Sequence, residues 1–217
     1  MRDVYTAKLS RLSDEVLEMG NLCGQAIMKT CQLLASVEVR EAATKEIGRI
    51  EKEIDDKEHN IEALCMQLLL KQQPVGTDLR KISAALKMVT DMERIGDQAA
   101  DIAEITLTMP SKSGIPVCDK ISKMASATIK MVNESIDAFI KRDIGLAEEV
   151  IKSDDTVDEL FNLLRTDLIR FIAENPDDGE ISLDILMITK YFERIGDHAT
   201  NIAKWVLFSI TGEHFDK

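Results

Sequence analysis

Glu93-Arg94-Ile95-Gly96-Asp97-Gln98-Ala99-Ala100-Asp101-Ile102-Ala103 returns one hundred residues later as Glu193-Arg194-Ile195-Gly196-Asp197-His198-Ala199-Thr200-Asn201-Ile202-Ala203. Eight of the eleven positions are identical, where chance agreement per position is roughly one in fifteen at average residue usage. A match of this quality at a fixed offset marks an internal duplication. The duplicated segment is helical. Ile82, Leu86, Val89, Gly96, Ala100 and Ala103 fall on one arc at 100° per residue. Leu163, Leu164, Leu168, Phe171 and Ile172 form a comparable stripe in the second half.

Working outward, breakers are few and clustered. Gln73-Pro74-Val75-Gly76 and Asn175-Pro176-Asp177-Asp178-Gly179 read as turns, and Met109-Pro110-Ser111-Lys112-Ser113-Gly114-Ile115-Pro116 as a mid-chain linker. The spacing predicts helices over 3–37, 40–72 and 78–108, then over 117–141, 144–174 and 181–211. Thr77 or Asp78 is the expected cap of the third. The fold class is therefore all-α: two tandem repeated three-helix bundles, built from six long antiparallel helices. Residues 1–109 form the first repeat and 117–217 the second, with 110–116 as linker. The linker permits one six-helix body or two lobes.

Composition agrees. Of 217 residues 45% are hydrophobic, enough for a core, which excludes a disordered chain. Only 4% are aromatic and four are Pro, which favours helix over sheet. Asp+Glu exceed Lys+Arg by 39 to 27, a net charge of −12, so the mean field repels nucleic acid and anionic lipid. No apolar run approaches the ~20 residues of a membrane span, and the first residues lack the apolar core of a signal peptide. Cys23, Cys31, Cys65 and Cys118 make no CxxC pair or zinc-type spacing and read as reduced core thiols of a cytosolic protein. The stripe of Met19, Met28, Met66, Met88 and Met131 reads as core, as does Trp205. His59, His198 and His214 read as residues outside any shared site, and no P-loop, GxSxG, HExxH or GxGxxG motif occurs.

The chemistry lies in the carboxylates. Glu93, Asp97 and Asp101 stand at i, i+4 and i+8, a single column on the third helix, with Glu93 inside the apolar arc. Glu193, Asp197 and Asn201 repeat it. Glu51 and Asp55 flank Ile54 on the second helix, and Asp154 and Asp158 flank Val157 on the fifth, an offset of 103. In an antiparallel pair each upstream column faces its downstream partner: Glu51 and Asp55 face Asp97 and Asp101, while Asp154 and Asp158 face Asp197 and Asn201. The small Gly96 and Ala100 let the facing helix come close. Desolvating and crowding carboxylates costs several kcal/mol unless something pairs them. A solvated face screened by Arg94 and Arg194 is one reading. Recurrence in both halves, at the same place in the stripe, favours a bound cation. All-oxygen donors suit a hard cation such as Fe(III), Mn(II), Mg(II) or Ca(II).

With the doubled Glu-Arg-Ile-Gly-Asp motif, Lys71-Gln72-Gln73-Pro74 followed by Asp78-Leu79-Arg80, and Val157-Asp158, the sequence resembles the phosphate-uptake regulator family, PhoU, over nearly its whole length. The resemblance implies acidic metal-binding motifs at Glu51, Asp55, Glu93, Asp97, Asp101, Asp154, Asp158, Glu193, Asp197 and Asn201. It implies multinuclear metal clusters, iron first, with Mn, Mg, Ca or Zn as alternatives. It also implies a cytoplasmic, non-enzymatic negative regulator of phosphate uptake and starvation signalling. Such a regulator links the ATPase subunit of a phosphate ABC transporter to a sensor histidine kinase and forms homo-oligomers. Two rival readings are a ferritin-like or di-iron carboxylate enzyme and a metal-free helical scaffold. The former uses Glu-x-x-His on two helices, and no Glu-x-x-His occurs here.

Overall fold

The computed structural model describes residues 2–110 and 118–215. The chain runs α1 Arg2–Ala35, α2 Arg40–Gln72, α3 Gly76–Thr108, α4 Cys118–Lys141, α5 Ile144–Glu174, a 3-10 turn Pro176–Asp178 and α6 Gly179–Thr211. Among the described residues there is no strand. Apart from Pro110, the expected linker lies outside the described residues, as does the side chain of Cys118. Five of the helices have 31 to 34 residues, about 50 Å each at 1.5 Å per residue, and α4 has 24.

The helix ends follow from turn chemistry. At the α2–α3 corner Gln73 (φ 46°) and Gly76 (φ 58°) take left-handed conformations around Pro74, which cannot continue a helix. Asp143 caps α5 by accepting from the Leu146 amide at 3.0 Å. The expected cap of α3 is not made: α3 starts at Gly76, and Val75 provides no side-chain cap. Asp78 instead accepts the Tyr5 hydroxyl at 3.0 Å and ties the start of α3 to α1.

Within the first half α2 packs on α1 and α3; within the second, α5 packs on α4 and α6. The halves join through α3 on α6 and α1 on α4. Four helices are thus central, and α2 and α5 are outer. Of the two arrangements the linker permits, the chain adopts one six-helix body. Its buried apolar side chains form one cluster running from Leu12 to Leu207 through both halves. Close crossings need small residues. A Cβ on Gly20 would stand 2.8 Å from Ile136 of α4, so α1 and α4 meet nearly backbone to side chain.

Two apolar expectations fail. Met19, Met88 and Met131 are core, but Met28 and Met66 are about half exposed, at 52% and 50%. In the α5 stripe Leu164 and Leu168 are buried, whereas Leu163 points outward. Neighbouring helix positions differ by 100°, so two adjacent leucines cannot both face one partner helix. Cys23 and Cys65 are buried free thiols, each pushed up to about 12 by desolvation, and Cys31 is a partly buried free thiol.

Candidate metal centre

The first centre begins with a glycine. A Cβ on Gly96 would stand 3.0 Å from Ile54 Cδ1, so Ile54 fills the space that Gly96 leaves and α2 closes on α3. Glu51 and Asp55 flank Ile54, and Glu93, Asp97 and Asp101 line α3 opposite. One carboxylate oxygen from each of Glu51, Asp55 and Asp97 lies within 4.8 Å of the other two. All three side chains are half-buried. Burial, then the charges of Asp55 and Asp97, push the Glu51 carboxyl above the usual carboxylate range. Burial and Asp97 do the same to Glu93 against the pull of Arg94. Burial also raises Asp101, opposed by a hydrogen bond from Tyr191 of α6.

Two further acids lie in this neighbourhood, and Arg94 is the base in contact with it, while Lys52 and Arg194 act on Glu51 and Asp101 through their charge. Glu58, one turn beyond Asp55, is also raised by burial and is held by Thr90. Glu104 adds its negative charge to Glu51 and Asp101. Arg94 reaches Glu93 at 3.3 Å and Asp97 at 3.4 Å, but its side chain is 53% exposed. Such an exposed pair contributes about 1 kcal/mol at most. The donors are all oxygen, they converge, and their mutual repulsion is largely uncompensated. A hard multivalent cation fits all three conditions.

The second half has the same scaffold and different chemistry. A Cβ on Gly196 would meet Val157 Cγ1 and Asp154 Oδ1, each at 3.4 Å. Asp154 is buried, at 8% exposure, and Asp158 is exposed. Burial, Glu193 and Asp158 push the Asp197 carboxyl up, while Lys190 draws it down. Lys190 Nζ pairs with Glu193 at 2.5 Å and sits 5.4 Å from the centroid of the Phe161 ring. Among the described residues no second group of three acids converges as Glu51, Asp55 and Asp97 do.

Between the two lies the antiparallel α3–α6 seam. Asp91 of α3 meets His198 Nδ1 at 2.8 Å and accepts from Asn201 Nδ2 at 3.3 Å. By the repeat offset, position 191 is the counterpart of 91, and Tyr191 donates to Asp101 in turn. Asn201 therefore faces across the seam, and Arg194 lends its charge to Asp101 of the first half. The other histidines behave as surface residues: His59 Nδ1 lies 2.8 Å from the Asp55 carbonyl, and His214 stacks on Phe208 beside Trp205.

Sequence reasoning missed Glu58, Asp91, Lys190 and Tyr191. Two of them carried a signal. Aligned at the offsets of the duplication, Thr90 becomes Lys190 and Glu58 becomes Phe161.

These features describe an internally duplicated, all-helical protein with an acidic centre where each outer helix meets its inner partner. The PhoU domain family model matches the chain twice, over residues 16–106 and 121–206. The chain belongs to the PhoU family. A phosphate-specific transport system accessory protein PhoU homolog from Clostridium acetobutylicum is 32% identical over 99% of this chain and 98% of its own. One from Synechocystis is 34% identical over 98% of this chain and 93% of its own. The crystal structure of PhoU from Pseudomonas aeruginosa superposes with a TM-score of 0.89 at 30% identity, over 96% of this chain and all of that one. A Streptococcus pneumoniae phosphate transport system regulatory protein shares the fold, at a TM-score of 0.88 and 24% identity.

Proposed function

We propose that this protein is a cytoplasmic accessory regulator of phosphate uptake that works without catalytic turnover. The observation that carries the reading is the doubled family match over nearly the whole chain, together with full-length relatives named as accessory proteins of phosphate-specific transport. Among the described residues no helix is long and apolar enough to cross a membrane. The partners in this reading are the ATPase subunit of a phosphate ABC transporter and a sensor histidine kinase. The protein restrains uptake and the starvation response when phosphate is plentiful, and it forms homo-oligomers.

Metal enters this reading as a structural element. Glu51, Asp55 and Asp97 hold the cation, with Glu93 and Asp101 beside them. Iron is the first choice of metal and Mn, Mg, Ca or Zn the alternatives. When bound, the metal supplies positive charge that offsets the repulsion between α2 and α3 and presents that charge at the surface. Asp154, Asp158, Glu193, Asp197 and Asn201 form the corresponding region of the second half.

The test is affinity capture from phosphate-replete cells followed by mass spectrometry, repeated after phosphate starvation. Enrichment of the transporter ATPase or the sensor kinase is expected. Recovery of neither, with the bait folded and abundant, contradicts the reading.

A further inference from the structure

The two acidic centres share a scaffold but not a charge balance, and one lysine accounts for much of the difference. In the first half Glu51, Asp55, Glu58, Glu93, Asp97 and Asp101 are six acids on α2 and α3, with Glu104 adding its charge from further along α3. The positive groups that reach them are Arg94, exposed on the rim, Lys52, whose charge acts on Glu51, and Arg194, whose charge acts on Asp101 from α6. In the second half the matching positions are Asp154, Asp158, Phe161, Glu193, Asp197 and Asn201, four acids in place of six. Asp91 lies nearby on α3 but is engaged by His198 and Asn201.

Position 90 of the first half is Thr, and it holds Glu58. Its counterpart is Lys190, and the residue it faces on α5 is Phe161, the counterpart of Glu58. One exchange would leave a stray charge or a lost hydrogen bond. Both together make a self-consistent alternative. The ammonium rests 5.4 Å from the centroid of an aromatic face and pairs with Glu193 at 2.5 Å. A cation is already present among these carboxylates, attached to the chain.

We propose that Lys190 is a built-in counter-ion that replaces metal in the second half, so that this protein carries one high-affinity multivalent-cation centre, at Glu51, Asp55 and Asp97. The inference rests on the metal reading above and adds an asymmetry to it. A divalent ion entering beside Glu193 and Asp197 must displace the ammonium, which cannot diffuse away, and finds fewer oxygen ligands when it does. In the first half Lys52 lends charge to Glu51, but among the described residues no lysine forms an ion pair with Glu51, Asp55 or Asp97 as Lys190 does with Glu193, and those three carboxylates already converge. The second half then keeps its shape whatever the metal supply, while the first responds to it.

The experiment is a titration of metal-stripped, untagged full-length protein with Mn(II), followed by calorimetry and by electron paramagnetic resonance of free Mn(II). Wild type is expected to show one class of tight sites. Asp97→Asn should weaken it at least tenfold, and Asp197→Asn should leave it within twofold. Lys190→Thr, which copies the first half, and Lys190→Met, which keeps the contact with Phe161, should each add a second class of sites that Asp197→Asn removes. Lys190→Arg should add none. Circular dichroism checks that every variant stays helical. Wild-type binding split equally between the centres, or no added sites in either neutral variant, overturns the proposal while the metal reading stands. No tight Mn(II), Fe(II) or Zn(II) binding in any variant overturns both.

Discussion

The α2–α3 and α5–α6 pairs descend from one helical unit, yet they handle the same electrostatic difficulty in opposite ways. Each brings carboxylates together by closing an apolar side chain over a glycine, Ile54 on Gly96 and Val157 on Gly196. In the first pair burial, and then the charges of neighbouring acids, push Glu51 and Glu93 up, as they do Asp197 in the second. In the second a lysine lies among them. The backbone sets where charge gathers, and one or two side chains decide what answers it. Duplication thus preserved the scaffold and left its charge content free to diverge.

The largest expected effect tests the shared scaffold. Ile54 is fully buried under the first centre, so Ile54→Ala should cost about 3 kcal/mol, as for other buried aliphatic truncations. Val157→Ala removes fewer atoms and should cost about 2 kcal/mol. Urea unfolding measures both, and a smaller loss for Ile54→Ala than for Val157→Ala would show that the pairs are not packed equivalently.

The next effect should change sign between the halves. In metal-free protein Lys190→Met removes a counter-ion and should lower stability by up to about 1 kcal/mol, a modest figure because the lysine is 45% exposed. Glu51→Gln removes a repelling charge and should raise stability by about 0.5 kcal/mol. The same direction of change in both variants would remove the contrast.

That gain should depend on pH. A carboxyl raised in the folded state holds its proton when the unfolded chain has already released its own. Stability from Glu51 is therefore lost as pH rises through the interval above its ordinary value of 4.5. Below that value the group is protonated in both states and the penalty disappears. Wild type and Glu51→Gln should converge in unfolding free energy near pH 4 and stand apart at pH 7. A gap independent of pH would assign the effect to packing.

The last effect concerns the glycines. Alanine gains about 1 kcal/mol of helix propensity over glycine. At Gly196 the new methyl meets neighbours at 3.4 Å, an ordinary contact, whereas at Gly96 it meets Ile54 at 3.0 Å. Gly196→Ala should raise the melting temperature by a few degrees, and Gly96→Ala should raise it less or not at all.

Most of the fold was legible because its punctuation is local. Pro74, Pro110 and Pro176 interrupt runs whose apolar residues keep helical spacing, and every helix falls within a few residues of its expected bounds. The facing of Glu51 and Asp55 toward Asp97 was legible too, since short connections force neighbouring helices antiparallel. Leu163, Met28 and Met66 were misjudged because periodicity gives a stripe but not which residues at its edge another helix covers. The seam contacts Asp91–His198 and Asp101–Tyr191 were out of reach, because they depend on the height at which α3 crosses α6. Whether a lysine swings toward the acids or toward water is settled by its rotamer, which spacing does not encode.

The most direct measurement is anomalous diffraction from crystals of the metal-stripped protein soaked in Mn(II). A strong peak among Glu51, Asp55 and Asp97, with none among Glu193, Asp197 and Lys190, is the expected result. Peaks of equal height in both halves, or no peak at Asp97, would contradict it.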